Sequence, residues 1–185
     1  YRIYSNKKDI KKQQQYLLEI AKNTDINIDT KRDIFYKLLL ENDVNEYVSF
    51  KAIVKSALKL APEDPLLNLI LGDICSKEQN FEQAIMHYHL SLSSSLVKDE
   101  YVYNKLLESY YKKNNYDAVI NTAKEAIEKH PFSPRLFYLK GLAHMNKQEY
   151  AKALQDLKDG RELVFDNHNL KSEFHALLGD VYHNL

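Results

Sequence analysis

The chain has 185 residues, 44% of them apolar, and balances 26 basic against 26 acidic side chains. That length can bury a sizeable core, and the neutral total supplies no field to draw it onto nucleic acid or an anionic membrane. A single cysteine, Cys75, excludes an internal disulfide and a paired-cysteine zinc site, and no run of about 18 apolar residues offers a membrane span.

The sequence begins at Tyr1 without a methionine and ends at Leu185 within an apolar helical pattern, so it reads as a segment of a longer protein whose signal or anchor would lie elsewhere. Residues 1–30 read as an N-terminal amphipathic helix and linker. Asp9 to Lys22 turns Ile10, Leu17, Ile20 and Ala21 to one side, and Lys7, Lys8, Lys11 and Lys12 read as a solvated face in preference to a nucleic-acid patch. Asn23 to Asp29 is polar, and Thr30 with Asp33 has the form of a capping box for the next helix.

Residues 31–185 read as a repeat array. Pro62-Glu63-Asp64-Pro65 and Pro131-Phe132-Ser133-Pro134 are the same punctuation 69 residues apart, two units of about 34, the period of a helical hairpin. Tyr47, Phe81, Tyr116 and Tyr150 recur at steps of 34, 35 and 34. Units start near Lys31, Pro65, Glu100 and Pro134, with a half unit from Ser172. Pro65 and Pro134 suit the first turn of a helix, whereas Pro62 and Pro131 stop the preceding one. Second helices run from Asn45, Phe81, Tyr116 and Tyr150. In the third unit Val119, Ile120, Ala123, Ala126 and Ile127 keep the spacing of one buried face. Gly72, Gly141 and Gly179 share one phase of the first helices, and Gly160 shares a phase with Ala57, Ser91 and Ala126 in the second. Glycine weakens a helix, so its recurrence predicts close approach of neighbouring helix backbones.

Gly72-Asp73-Ile74-Cys75 followed by Asn80-Phe81-Glu82-Gln83-Ala84-Ile85, and Gly141-Leu142-Ala143-His144 followed by Glu149-Tyr150-Ala151-Lys152-Ala153-Leu154, resemble the tetratricopeptide repeat. The resemblance covers Pro65 to Leu185, with Lys31 to Asp64 as a degenerate unit. It implies an all-α superhelix of helical hairpins, a solenoid whose first helices line a concave groove. Leu177-Leu178-Gly179-Asp180-Val181-Tyr182, after a linker four residues longer, further resembles tetratricopeptide proteins of the Bacteroidetes envelope. That narrower resemblance implies an exported parent, with a periplasmic or cell-envelope location in preference to a cytoplasmic one.

Catalytic patterns do not emerge. His87 and His89 lie on nearly opposite sides of a helix, His175 and His183 stand about 12 Å apart along another, and Asp166, Asn167 and Asn169 lack calcium-loop spacing, so no metal is expected. There is no phosphate loop, nucleophile elbow or paired-histidine motif, so no cofactor is expected, and Cys75 at an apolar phase reads as a packed thiol. Ser93-Ser94-Ser95 reads as a polar turn. The expectation is a non-enzyme; a hydrolase or metal-dependent enzyme is the remote alternative.

The groove implied by the resemblance collects Phe35, Leu69, Asn104, Tyr138 and Ala176 at one phase, Leu39, Asp73, Glu108, Leu142 and Asp180 at the next, and Arg32, Leu66, Tyr101, Arg135 and Glu173 at a third, extended by Tyr111 and Met145. Asp73, Tyr101, Asn104, Glu108, Tyr111, Arg135, Tyr138 and Leu142 are the expected contacts for a protein or peptide ligand with apolar anchors and one or two basic residues. Tyrosine gives contact area and a polar tip at low rotamer cost. The bland reading is that these aromatics cover one another or lie under the Asp9–Lys22 helix. The family's carboxylate clamp is not matched, since Leu69 and Asp73 stand where its first lysine and asparagine belong. A second reading is a self-assembling or structural component of an envelope complex, joined through a C-terminal strip of Leu177, Leu178, Val181 and Tyr182.

Overall fold

A computed structural model describes residues 10–23, 25–27, 30–31, 33–35, 44–93 and 100–185, and every regular element among them is helical. The helices are α1 (Ile10–Lys22), α2 (Val44–Leu60), α3 (Pro65–Lys77), α4 (Phe81–Leu92), α5 (Glu100–Lys112), α6 (Tyr116–Lys129), α7 (Pro134–Asn146), α8 (Tyr150–Glu162) and α9 (His168–His183). They form two compact units, Tyr1–Val97 with α1 to α4 and Lys98–Leu185 with α5 to α9. No helix among the described residues is long and apolar enough to cross a membrane. Leu38, Leu39, Arg32, Lys7, Lys8, Ser94 and Ser95, and the side chains of Ile10, Lys11, Lys12, Leu17 and Tyr47, lie outside what is described.

Local chemistry sets the helix starts. Pro65 and Pro134 occupy first-turn positions, where a missing N–H costs nothing. Asp64 Oδ1 accepts from Leu67 N at 2.9 Å, Asn80 from Gln83 N at 3.3 Å, Asn115 from Ala118 N at 3.2 Å and Asn167 from Leu170 N at 3.0 Å. These side chains satisfy amides that the helices leave open. Two starts differ from the sequence reading. Asn27, not Thr30, caps the helix before α2: its Oδ1 accepts from Thr30 N at 2.8 Å and its carbonyl from Lys31 N at 3.0 Å. Likewise α9 starts at His168, four residues ahead of Ser172, because Asn167 caps there.

Inside each hairpin the first helix ends on a left-handed residue: Gln79 (φ 59°), Asn114 (φ 56°) and Gln148 (φ 60°). The next amide bonds back across the turn, Asn80 N to Cys75 O at 2.9 Å, Asn115 N to Tyr110 O at 3.0 Å and Glu149 N to His144 O at 2.9 Å. These are Schellman closures, and they fold the second helix against the first.

In the first unit α1 packs on α2, α2 on α3 and α3 on α4. Lys31 Nζ donates to Ala21 O at 2.8 Å, Phe35 meets Phe50 edge to face at 6.4 Å, and Leu66, Leu67, Leu69, Ile70, Ile74 and Tyr88 are fully or almost fully buried. In the second unit α5 packs on α6, α6 on α7, α7 on α8 and α8 on α9, while α5 touches α7 and α7 touches α9. Leu106, Leu107, Val119, Ala123, Leu136, Leu157 and Phe174 are wholly buried there. The expected small-residue phase holds: Ala57, Ser91 and Ala126 have no exposure, and Gly160 is buried.

The glycines serve packing, though mostly against side chains instead of backbone. A Cβ on Gly72 would lie 2.6 Å from the Tyr88 ring, one on Gly141 2.7 Å from Leu157 Cγ, and one on Gly160 2.6 Å from Phe137 Cβ and 2.7 Å from the Phe174 ring. Only at Gly141 is a backbone atom among the nearest neighbours, Ala153 O at 3.5 Å. At Gly179 a Cβ would meet nothing within 4 Å.

Candidate protein-binding face of the second unit

The first helices of the three hairpin positions in the second unit, α5, α7 and α9, bring most of the expected contact residues together. Tyr101, Asn104, Glu108 and Tyr111 stand on α5 and Arg135, Tyr138, Leu142 and Met145 on α7; all are half-buried. Glu173, Ala176 and Asp180 on α9 are exposed. Helical spacing of three and four residues aligns each set along one stripe.

Charges stitch the stripes. Arg135 reaches Glu173 Oε2 at 3.1 Å and Glu108 Oε1 at 3.5 Å, and its guanidinium stacks 5.0 Å from the centre of the Tyr138 ring. Glu108 Oε2 also takes Lys105 Nζ at 3.2 Å, and Lys105 sits 5.6 Å from the Tyr101 ring. The cations are therefore neutralised in place. Tyr111 Oη accepts from Asn146 Nδ2 at 3.0 Å and its ring tilts against Tyr116 at 5.6 Å. Tyr138 meets buried Phe174 edge to face at 5.3 Å. Burial first, and Glu173 second, push the Tyr138 phenol above its ordinary value, so at neutral pH it keeps its proton as a hydrogen-bond donor. Asn104 Oδ1 is enclosed without a donor.

The first unit treats the same phases differently. Phe35 and Leu69 have no exposure and Leu66 has 2%, so these residues are core, not lining. Asp73 is half-buried and accepts from Tyr88 Oη at 2.7 Å across the α3–α4 hairpin. Among the described residues, the aromatic and large apolar side chains left accessible at these phases belong to α5 and α7.

Other candidate chemistry resolves into packing. Cys75 is buried with Sγ 3.7 Å from Gln83 Oε1, and burial raises its thiol pKa, which keeps it protonated and unreactive. His87 Nδ1 lies 3.0 Å from the Oδ1 of Asn68, whose Nδ2 donates to Pro62 O and Asp64 O at 2.8 and 2.9 Å. Burial lowers the His87 pKa. No group of three His, Cys, Asp or Glu side chains among the described residues is arranged to hold a metal ion.

One constellation was not expected. Between α7 and α8, His144 is 5% exposed, with Nδ1 2.6 Å from Glu149 Oε2 and Nε2 3.6 Å from Asp156 Oδ2. Asp156, 6% exposed, accepts from Lys140 Nζ at 2.7 Å through Oδ1. Its Oδ2 is within ion-pair reach of His144 yet too distant for a hydrogen bond, and it has no other partner. Lys152 first, and His144 second, hold the Glu149 carboxyl down to about 2. The imidazole is flanked by its two carboxylates on opposite sides, so the three form a bridge and not a chelate.

Residues 104–162 match the family model of the tetratricopeptide repeat. Over that stretch, α5 to α8, the chain is similar to tetratricopeptide repeats. Solved structures agree on the fold: MamA residues 41 to the end from Desulfovibrio magneticus RS-1 is 17% identical, with a TM-score of 0.67 over 84% of each chain. A tetratricopeptide repeat protein from Parabacteroides merdae is 19% identical with a TM-score of 0.69, over 93% of this chain and 61% of that one. The yeast Sti1 TPR2AB domain, solved as a pHSP90 complex, is 19% identical with a TM-score of 0.55, over 95% of this chain and 70% of that one. Among curated protein sequences, none matches. At these identities the structural likeness establishes an all-α solenoid of helical hairpins and nothing about ligands.

Proposed function

We propose that the second unit is a non-catalytic docking site for an extended segment of a partner protein, held along the groove face of α5, α7 and α9. The observation that carries this reading is the contrast in cover: Phe35 and Leu69 are sealed in the first unit, whereas Tyr101, Tyr111, Tyr138 and Leu142 stay half-accessible in a continuous row. A row of phenol rings beside a leucine suits an apolar or aromatic anchor, and the phenol tips suit a peptide backbone. The pHSP90 complex of Sti1 supports protein recognition as a use of this fold.

Charge narrows the ligand. Arg135 and Lys105 already serve Glu108 and Glu173, so an acidic tail would find no unengaged cation in this set. Glu173 is 47% exposed and Asp180 is exposed, which favours one or two basic residues beside the apolar anchor. Peptides selected by display against the chain would be titrated calorimetrically into wild type, Tyr111→Ala/Tyr138→Ala and Leu142→Glu. Both variants are expected to bind at least about tenfold more weakly, the loss typical of central aromatic contacts, with unchanged helical circular dichroism. Equal affinity in all three proteins would reject the assignment.

A further inference from the structure

Three helices of the second unit meet at one guanidinium. Arg135, in the first turn of α7, reaches Glu173 Oε2 on α9 at 3.1 Å through Nη1 and Glu108 Oε1 on α5 at 3.5 Å through Nη2, while its Cζ lies 5.0 Å from the centre of the Tyr138 ring. Arg135, Tyr138 and Leu142 follow one another at three and four residues, so the guanidinium shares a stripe with the apolar part of the row. Lys105 completes the group from α5, with Nζ 3.2 Å from Glu108 Oε2 and 5.6 Å from the Tyr101 ring centre. Two cations thus balance two carboxylates.

The balance depends on Arg135. Without it Glu108 and Glu173 would have Lys105 alone between them, and the centre of the row would carry one net negative charge. With it in place, a ligand lysine or arginine approaching either carboxylate must displace the guanidinium. That exchanges one ion pair for another and forfeits the stack on Tyr138, so the ligand cation gains nothing there. A neutral aromatic or apolar side chain meets no such competition. The planar fork of arginine lets one group serve both carboxylates, which the point charge of a lysine does less well.

We infer, resting on the docking face proposed above, that Arg135 is the specificity-determining residue of the row: its guanidinium fills the place that a ligand's own cation would take between Glu108 and Glu173, so the row selects a segment that is neutral at its apolar anchor. Basic residues of the ligand are thereby confined toward Asp180, which is exposed two turns along α9 from Glu173, about 10 Å. An extended chain rises about 3.3 Å per residue. The segment recognised therefore carries its basic residue roughly three positions or more from the anchor, not beside it in sequence.

Removing the guanidinium tests this in two ways. Ethylguanidinium chloride titrated into isotope-labelled Arg135→Ala is expected to give saturable shifts at Glu108, Tyr138 and Glu173 that sodium chloride at equal ionic strength does not, and to give none in wild type, where the place is filled. In calorimetry, a display-selected peptide whose binding is lost in Tyr111→Ala/Tyr138→Ala receives a single arginine at each position adjoining its apolar anchor. Wild type is expected to gain nothing from these arginines, and Arg135→Met about fivefold from at least one, roughly the worth of two part-exposed ion pairs, with the gain erased by high salt. Arg135→Lys, which keeps a cation, is expected to return the preference toward wild type. An arginine gain of equal size in wild type and Arg135→Met, no gain in either, or an Arg135→Ala protein indifferent to ethylguanidinium would overturn the inference and leave the docking face standing. Peptides that bind Tyr111→Ala/Tyr138→Ala as tightly as wild type would remove the docking face, and this specificity with it.

Discussion

The α3–α4 and α7–α8 hairpins place glycine at the same position and close with the same left-handed turn, but they fill the seam with different matter. In the first, Gly72 lies under the ring of Tyr88, which is itself fully buried and bonded through its hydroxyl to Asp73, and Asn68, Leu71 and Cys75 line the rest. In the second, Gly141 lies under the branched end of Leu157, and the seam continues through Lys140, His144, Glu149 and Asp156. Hairpin geometry thus dictates where a seam runs, and leaves open whether an aromatic ring or a set of charges fills it. The choice has energetic consequences, because ring packing is insensitive to pH whereas a partly desolvated set of charges is costly unless fully partnered.

The largest expected effect comes from emptying the first seam. Tyr88→Ala removes a wholly buried ring and a hydrogen bond, and is expected to cost about 4 kcal/mol in chemical denaturation; Leu157→Ala is expected to cost about 3 kcal/mol. A smaller loss at Tyr88 than at Leu157 would break the comparison. Overfilling the seams sharpens it. Gly72→Ala is expected to cost about 2 kcal/mol, because its Cβ presses on a rigid ring tethered at its far end, and Gly141→Ala about 1 kcal/mol, because Leu157 can change rotamer. Gly179→Ala, with nothing to press on, is expected to stabilise by about 1 kcal/mol.

The smallest effect separates the seams by pH. Glu149 has its pKa lowered from 4.5 to about 2 in the folded protein. Its contribution is therefore complete above about pH 4.5 and is lost as pH falls through about 2. Asn80 holds the matching position in the first hairpin and does not titrate. Thermal melts between these limits are expected to fall less steeply for Glu149→Gln than for wild type; parallel curves would remove the charge network from the comparison.

Much of the scaffold was legible in the residues themselves. Pro65 and Pro134 declare first turns because their φ and missing N–H suit no other helical position, and the recurrence of Phe81, Tyr116 and Tyr150 announces α4, α6 and α8. The start of α9 was harder to see, since Asn167, His168 and Asn169 carry turn chemistry and only the folded backbone shows that Asn167 caps a helix there. The contact row expected on α5 and α7 came from helical phase combined with the groove that the tetratricopeptide resemblance implies. Its electrostatics did not: the bridging of Glu108 and Glu173 by Arg135 depends on side-chain reach between helices 27 and 38 residues apart in sequence. The same limit hid the seam of charges. His144 shares a phase with Cys75 and Tyr110 and so reads as core, while its acidic neighbours become neighbours only when α8 folds back on α7. Phase also cannot distinguish a lining residue from a sealed one, as Leu69 and Tyr138 demonstrate.

The left-handed residues that close the hairpins are two glutamines and an asparagine, not glycines. Such a backbone costs a residue with a Cβ roughly 1–2 kcal/mol, so the bend is imposed by the hydrogen bonds around it and does not rely on a permissive residue. Each hairpin therefore brings its own fastening wherever it is inserted. Duplication or exchange of a whole hairpin leaves the fastening intact and frees the interior to diverge copy by copy, which makes this chain a set of cassettes whose evolution can rewrite the filling without redrawing the frame.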